Sequence, residues 1–246
     1  MRHVYGNRPT MEGPLYSMRD LFTSQARSEA GGATFVGSPT VNNGVVIESG
    51  KYVRYDDCNG VIMGQGITLL FRFIVGFELG DGENHYLTDS TDNGNGAQRN
   101  AILKETDGDI SWYLDGAYRV RDIPPAQFPG WTIGEERSLI FTASRSVTGA
   151  CYYQGAAVTV ADTNPLGTSP QNNTPGGGII MSPVYLGVAT DGTYPWLGTI
   201  TEFAALHRAV SADDAARLHA GTLVPFTGRA TALQQSLDDA YDRRFA

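Results

Sequence analysis

The run Asp81-Gly82-Glu83-Asn84, continuing to Asp89, Asp92, Asn93 and Asn95, gathers carboxylate and amide oxygens of the kind a calcium ion takes. It lacks EF-hand spacing, and Asp, Asn and Gly are also the ordinary residues of exposed turns. Calcium at Asp81, Glu83, Asp89 and Asp92 is the single cofactor these residues suggest. The histidines His3, His85, His207 and His219 are scattered, and none neighbours a Gly-x-Ser-x-Gly elbow. A nucleophile–imidazole pair is therefore not expected, and structural roles suit all four. Gly176-Gly177-Gly178 is not followed by Lys-Ser/Thr and a helix, so it does not cradle a phosphate. Cys58 and Cys151 have no metal-like spacing, and two buried thiols are favoured over a disulfide.

The elements that must position these groups are short. The chain has 246 residues with 30 glycines and 12 prolines, which punctuate many turns. Apolar runs at 45–47, 52–55, 67–75, 101–104, 110–114, 138–143 and 150–153 read as strands. The run 67–75 is apolar on both parities apart from Thr68 and Arg72, as a central strand covered on both faces would be. Asp107-Gly108 and Gln154-Gly155 read as hairpin turns. One short helix follows Ser211, which with Asp214 forms a capping box; Asp213 and Asp214 suit its positive end, and Gly221 suits its stop. A net charge of −8 excludes a general phosphate-backbone binder, so no nucleic-acid partner is expected. No run approaches the ~18 apolar residues of a membrane span. The first twenty residues lack the apolar core of a signal peptide, so synthesis in a cytoplasm without membrane insertion is expected.

Both ends read as arms. Residues 1–32 are mixed polar, with a brief helix expected over 17–25 and Leu21 and Phe22 as its anchors. Residues 222–246 form a tail whose segment 229–245 looks helical, with Leu233, Leu237 and Tyr241 on a narrow apolar stripe.

The segments Leu186-Gly187, Trp196-Leu197-Gly198-Thr199-Ile200 and Arg208-Ala209-Val210-Ser211-Ala212-Asp213 follow one another in a distinctive order. Together they resemble the closing segment of the concanavalin A-like, laminin-G-like jelly rolls. Phe71 and Phe73 stand where that family carries a Trp strand, and Tyr153-Gln154-Gly155 where it writes Tyr-x-Asp-Gly. The resemblance covers 67–221 well and 33–66 loosely. It implies an all-β fold, an antiparallel jelly-roll β-sandwich over 33–221 with one short helix, flanked by the arms 1–32 and 222–246.

Some jelly rolls of this superfamily are glycan hydrolases with a Glu-x-Asp-x-x-Glu strand. The run Glu105-Thr106-Asp107-Gly108-Asp109-Ile110 puts Ile110 at the third acid, and no catalytic residue is assigned. Lectin-like members combine an exposed aromatic with amide and carboxylate groups, which points to Trp131, Tyr194 and Trp196. An extracellular-type module made without a signal peptide suggests a non-enzymatic virion protein, such as a phage head decoration or tail-surface component. Its arms, through Leu21, Phe22, Leu233, Leu237 and Tyr241, would join other virion proteins or copies of itself, and the jelly roll would meet a cell-surface glycan. The alternatives are a freestanding extracellular lectin module and a glycan-processing enzyme.

Overall fold

The computed structural model describes residues 17–30, 32–56, 62–63, 66–90, 100–114, 117–144, 148–160, 162–163, 178–179, 183–206 and 208–223. In chain order the strands begin with β1 (Ser17–Asp20), β2 (Ala33–Val36), β3 (Val45–Ile47), β4 (Tyr52–Tyr55), β5 (Ile62–Met63) and β6 (Gly66–Val75). They continue with β7 (His85–Ser90), β8 (Asn100–Lys104), β9 (Ile110–Leu114), β10 (Ala117–Ile123) and β11 (Glu136–Ser144). The last are β12 (Ala150–Tyr153), β13 (Ala156–Ala157), β14 (Asp162–Thr163), β15 (Gly178–Ile179), β16 (Val184–Leu186) and β17 (Gly198–Leu206). Helix α1 spans Gln25–Ala30 and helix α2 spans Ala212–His219.

Two antiparallel sheets form the sandwich. One runs β1-β17-β6-β11-β12-β13, with β3 also paired to β17; the other runs β14-β10-β9-β8-β7-β16-β4-β2. A separate pair joins β15 and β5. The chain is thus an all-β, jelly-roll-like sandwich, as its residues suggested.

Strand β6 lies between β17 and β11 and organises both layers. Ile67, Leu69, Phe71, Phe73 and Val75 point into the main core with Trp112, Phe141 and Trp196. Leu70, on the other face, packs with Ile140, Ala204, Val210, Ala215 and Leu218 under α2. At its start α2 is capped by Ser211, whose Oγ accepts the Asp214 N–H at 3.1 Å. At its end Gly221, with φ +69, turns the chain. Its N–H donates to Leu218 O, and the Thr222 N–H donates to Arg217 O, the Schellman arrangement. Eight residues are too few for an independent helix, so α2 depends on the sheet. Arg72 supplies the polar tie: its Nη2 donates to the Leu218 and His219 carbonyls, each at 2.7 Å, and its Nε to Glu202 Oε2 at 2.8 Å. A cation there also suits the negative end of the helix. Thr68 Oγ1 donates to Arg208 O at 2.7 Å, and Thr142 Oγ1 accepts the Val210 N–H, which fixes the approach to α2.

The helix expected over 17–25 is replaced at its start by a strand. Residues 17–20, read as the start of a helix, are β1, paired with β17 from Ser17↔Leu206 to Asp20↔Phe203. The helix that does form, α1, starts only at Gln25. Local propensity loses here to the free edge of β17, whose backbone groups β1 satisfies. Phe22, expected as an assembly contact, is fully buried in the sandwich core, while Leu21 beside it is half-buried. Asp20 ties this segment down: its carboxylate accepts the Phe22 N–H, the Ser28 hydroxyl and the Tyr55 hydroxyl, all within 2.9 Å. Leu233, Leu237 and Tyr241 lie outside the described residues.

Replacing Arg72 with Met should take the guanidinium away from the nearly buried Glu202 and from the last carbonyls of α2, and so loosen the helix. We expect a loss of about 3 kcal/mol, or a melting temperature about 8 °C lower. An unchanged thermal melt would show that the sheet holds α2 without this cap.

Candidate functional site

With α2 covering the outer face of one sheet, the outer face of the eight-stranded sheet is the other broad surface of the sandwich. Its side chains follow from strand alternation. Strand β4 buries Val53 and Tyr55 and turns Tyr52 and Arg54 outward; β16 buries Val184 and Leu186 and turns Tyr185 outward. The register aligns Thr34, Arg54, Tyr185 and Asp89 across β2, β4, β16 and β7. Ala101 and Tyr113 are aligned across β8 and β9. The Tyr52 and Tyr185 rings are 5.9 Å apart. Asp89 and Ala101 are fully buried and form a floor between the half-buried Tyr185 and Tyr113. Arg54 is paired with Asp56 at 2.7 Å, and Thr34 Oγ1 also donates to Asp56.

The same face continues to one end of the sandwich. Tyr86 turns outward from β7, and its ring lies 6.1 Å from that of Tyr194. Tyr194 is 46% exposed. Its φ of +54 is in the left-handed region, an unfavourable state for a bulky residue, and all the more so before a proline. Such strain persists only where neighbours over-determine it. Here the Tyr86 N–H donates to Tyr194 O at 3.0 Å, and the Trp196 N–H donates to Gly187 O at 2.9 Å. His85 Nδ1 lies 2.5 Å from Pro195 O. The loop begins at Gly187, with φ +84, where a Cβ would sit 2.8 Å from Ile47. Asp89 Oδ2 then accepts the Thr190 N–H at 3.0 Å.

Behind Tyr194 sits a polar group in which His85 and Lys104 are buried and Asp81 reaches solvent. His85 stacks on Phe77, ring centres 4.0 Å apart, and its Nε2 meets Asp81 Oδ2 at 2.7 Å. Asp81 also pairs with Lys104, which is fully buried and donates to Glu83 O at 2.9 Å. An ammonium can be buried only with such partners. Burial pushes the Asp81 carboxyl up, but hydrogen bonds from Lys104, His85 and the Glu83 N–H outweigh this and hold it below its ordinary value of 3.8.

These observations re-sort the residues expected from sequence. Trp196 is fully buried and meets Phe73 and Phe77 edge-on, so it is core and not a sugar platform. Trp131 is 9% exposed, and its indole N–H donates to Phe77 O at 3.0 Å, which closes the end of the core. Tyr194 alone of the three presents its ring to solvent. Asp81 and Asp89 serve different partners, Glu83 offers Lys104 a backbone carbonyl, and Asp92 lies outside the described residues. Among the described residues no three His, Cys, Asp or Glu side chains come together to hold a metal, so the expected calcium set is not assembled there. Glu105, Asp107 and Asp109 sit at the hairpin closed by Glu105 N–H to Asp109 O, beyond the end of β8 that pairs with the start of β7. Burial, with Asp107, Asp122 and Glu105 nearby, raises the Asp109 carboxyl. Cys58 is outside the described residues; Cys151 is a free buried thiol, pushed well up by desolvation. Tyr52, Arg54, Tyr86, Tyr113 and Tyr185 were not singled out from sequence. Their signal was the alternation in Tyr52-Val53-Arg54-Tyr55 and Val184-Tyr185-Leu186.

No protein-family model matches the sequence, and no curated protein matches it significantly. Solved structures do match. The receptor-binding domain of a botulinum neurotoxin C/D mosaic superposes with TM-score 0.54 at 12% identity, over 77% of this chain and 46% of that one. A botulinum neurotoxin type C structure, whose report ties cell entry to two ganglioside molecules, gives 0.56 at 10% identity, over 78% and 46%. A Trypanosoma rangeli sialidase in complex with 2,3-difluorosialic acid gives 0.54 at 13% identity, over 80% and 30%. At these identities the likeness is one of fold. The chain spans less than half the length of each of these structures.

Asp81→Asn tests this polar group. Because the folded-state carboxyl titrates below 3.8, its stabilisation is complete above that value and is lost as pH falls through the lower, folded one. The variant should therefore unfold at lower denaturant than the parent near neutral pH, and the two curves should converge in acid. A gap that stays constant with pH would refute the pairing.

Proposed function

We propose that this chain is a non-enzymatic glycan-binding module that reads sugars on the tyrosine-lined outer face of its eight-stranded sheet. The observation that carries this reading is the presence of two tyrosine pairs on one face, Tyr52 with Tyr185 and Tyr86 with Tyr194. A tyrosine ring offers an apolar surface to the C–H face of a sugar and a hydroxyl to its edge. Thr34, Arg54 and Asp56 add donors and acceptors beside the first pair. Three of the four tyrosines stand on or at the start of strands and the fourth on a loop held by backbone bonds, so little order is lost on binding. The fold likeness to a ganglioside-dependent neurotoxin and to a sialidase supports the reading by analogy only. The run Glu105 to Asp109 carries the apolar Ile110 where a hydrolase strand of this superfamily has its third acid, which favours binding over hydrolysis. The wider setting we propose is the surface of a virion, reached through 1–16 and the tail with Leu233, Leu237 and Tyr241.

A glycan array followed by calorimetry tests the module. Tyr185→Ala and Tyr194→Ala should each weaken the best ligand at least about tenfold, or about 1.4 kcal/mol, with little change in melting temperature. Absence of any bound glycan would retire the proposal.

A further inference from the structure

The cations of the eight-stranded sheet are already committed. Arg54 is paired with Asp56 at 2.7 Å, and Arg121, toward the far edge, with Asp122 at 3.2 Å. Lys104 is fully buried against Asp81, and Arg119 is 3% exposed. The one acid on the floor of the face, Asp89, is buried and accepts the Thr190 N–H. An anionic sugar would have to take Arg54 from Asp56 while approaching a chain of net charge −8, which repels it at longer range. What the face offers without rearrangement is aromatic surface with the neutral hydroxyls of its tyrosines.

Its length matters as well. Tyr185 lies opposite Asp89, and Tyr86 is three positions before Asp89 on β7. At about 3.4 Å per residue Tyr185 and Tyr86 stand at most about 10 Å apart along the strands, since β7 bulges between Tyr86 and Thr88, and this is still farther than one sugar ring reaches. Resting on the glycan reading above, we infer that the face selects an uncharged oligosaccharide lying along β7 and β16 across both tyrosine pairs, in preference to sialylated, sulfated or uronic-acid glycans.

The test uses the full chain with two sets of probes: neutral gluco-, galacto- and N-acetylglucosamine oligomers with their monosaccharides, and sialyllactose with sulfated and uronic oligomers. Calorimetry at about 50 and about 500 mM NaCl gives the charge dependence, since salt at the higher level screens nearly all exposed charge interactions. The expected result is that a neutral oligomer binds, its monosaccharide binds at least about tenfold more weakly, and Kd changes less than about twofold with salt. Tyr52→Ala and Tyr194→Ala should each lose at least about tenfold on the oligomer. Asp56→Asn, which releases Arg54, should gain affinity for sialyllactose. Binding confined to anionic glycans and weakened by salt overturns this inference while leaving the glycan module standing. Loss at only one tyrosine pair, or an equally tight monosaccharide, overturns the spanning arrangement, and no gain from Asp56→Asn overturns charge pairing as the cause. A chain that binds no glycan of either set removes the module and the inference together.

Discussion

Arg72 is a charged residue in the middle of a strand whose neighbours are apolar on both faces, and the protein answers it on the spot. Glu202 on the adjacent strand takes one side of the guanidinium, and the last carbonyls of α2 take the other. A buried pair of this kind contributes little net energy, because desolvation offsets the attraction. Its effect is on geometry: α2 has one place to dock. Leu70, Ile140, Ala215 and Leu218 then fill the space around it. One outer face is closed in this way, and the opposite sheet keeps the surface on which the tyrosines lie.

The second constraint sits at the end of the sandwich. Phe73, Phe77, Trp131 and Trp196 pack as a block of rings, and the Asp81, His85 and Lys104 group lies against it. This polar group is linked to the loop that carries Tyr194 through Pro195 O. A strained, exposed tyrosine thus rests on a rigid aromatic and ionic base. Backbone strain is tolerated where the surroundings leave no alternative, and here the surroundings are the packed core itself.

Much of the sandwich was legible in the residues. The two-sided apolar run 67–75 marked the central strand, and Ser211 with Gly221 marked both ends of α2. Residues 17–20 were not legible, because Ser-Met-Arg-Asp has no strand signature and its conformation is imposed by the edge of β17. Trp131 and Trp196 look like loop aromatics because they neighbour Gly or Pro. Only the three-dimensional packing shows that these loops fold over the sandwich end and complete its core. The tyrosine-lined face was hidden for a different reason. Each strand carries one or two of its residues, and cross-strand register, which no single segment encodes, brings them into line.

Gly187 has a consequence for anyone who would retarget this surface. Its left-handed backbone and the Ile47 side chain behind it leave no room for a β-carbon. Asp89 fixes the same loop at Thr190, and His85 fixes it again at Pro195. Between the last two posts the chain is solvent-facing, apart from the partly shielded Gly192, and closed by short local bonds that the Thr193 N–H and hydroxyl donate to Asp191 Oδ1. Side chains at 191 and 193 could therefore be varied at fixed loop length, much as a grafted loop is varied between framework positions, while Gly192, with φ +82, keeps its glycine.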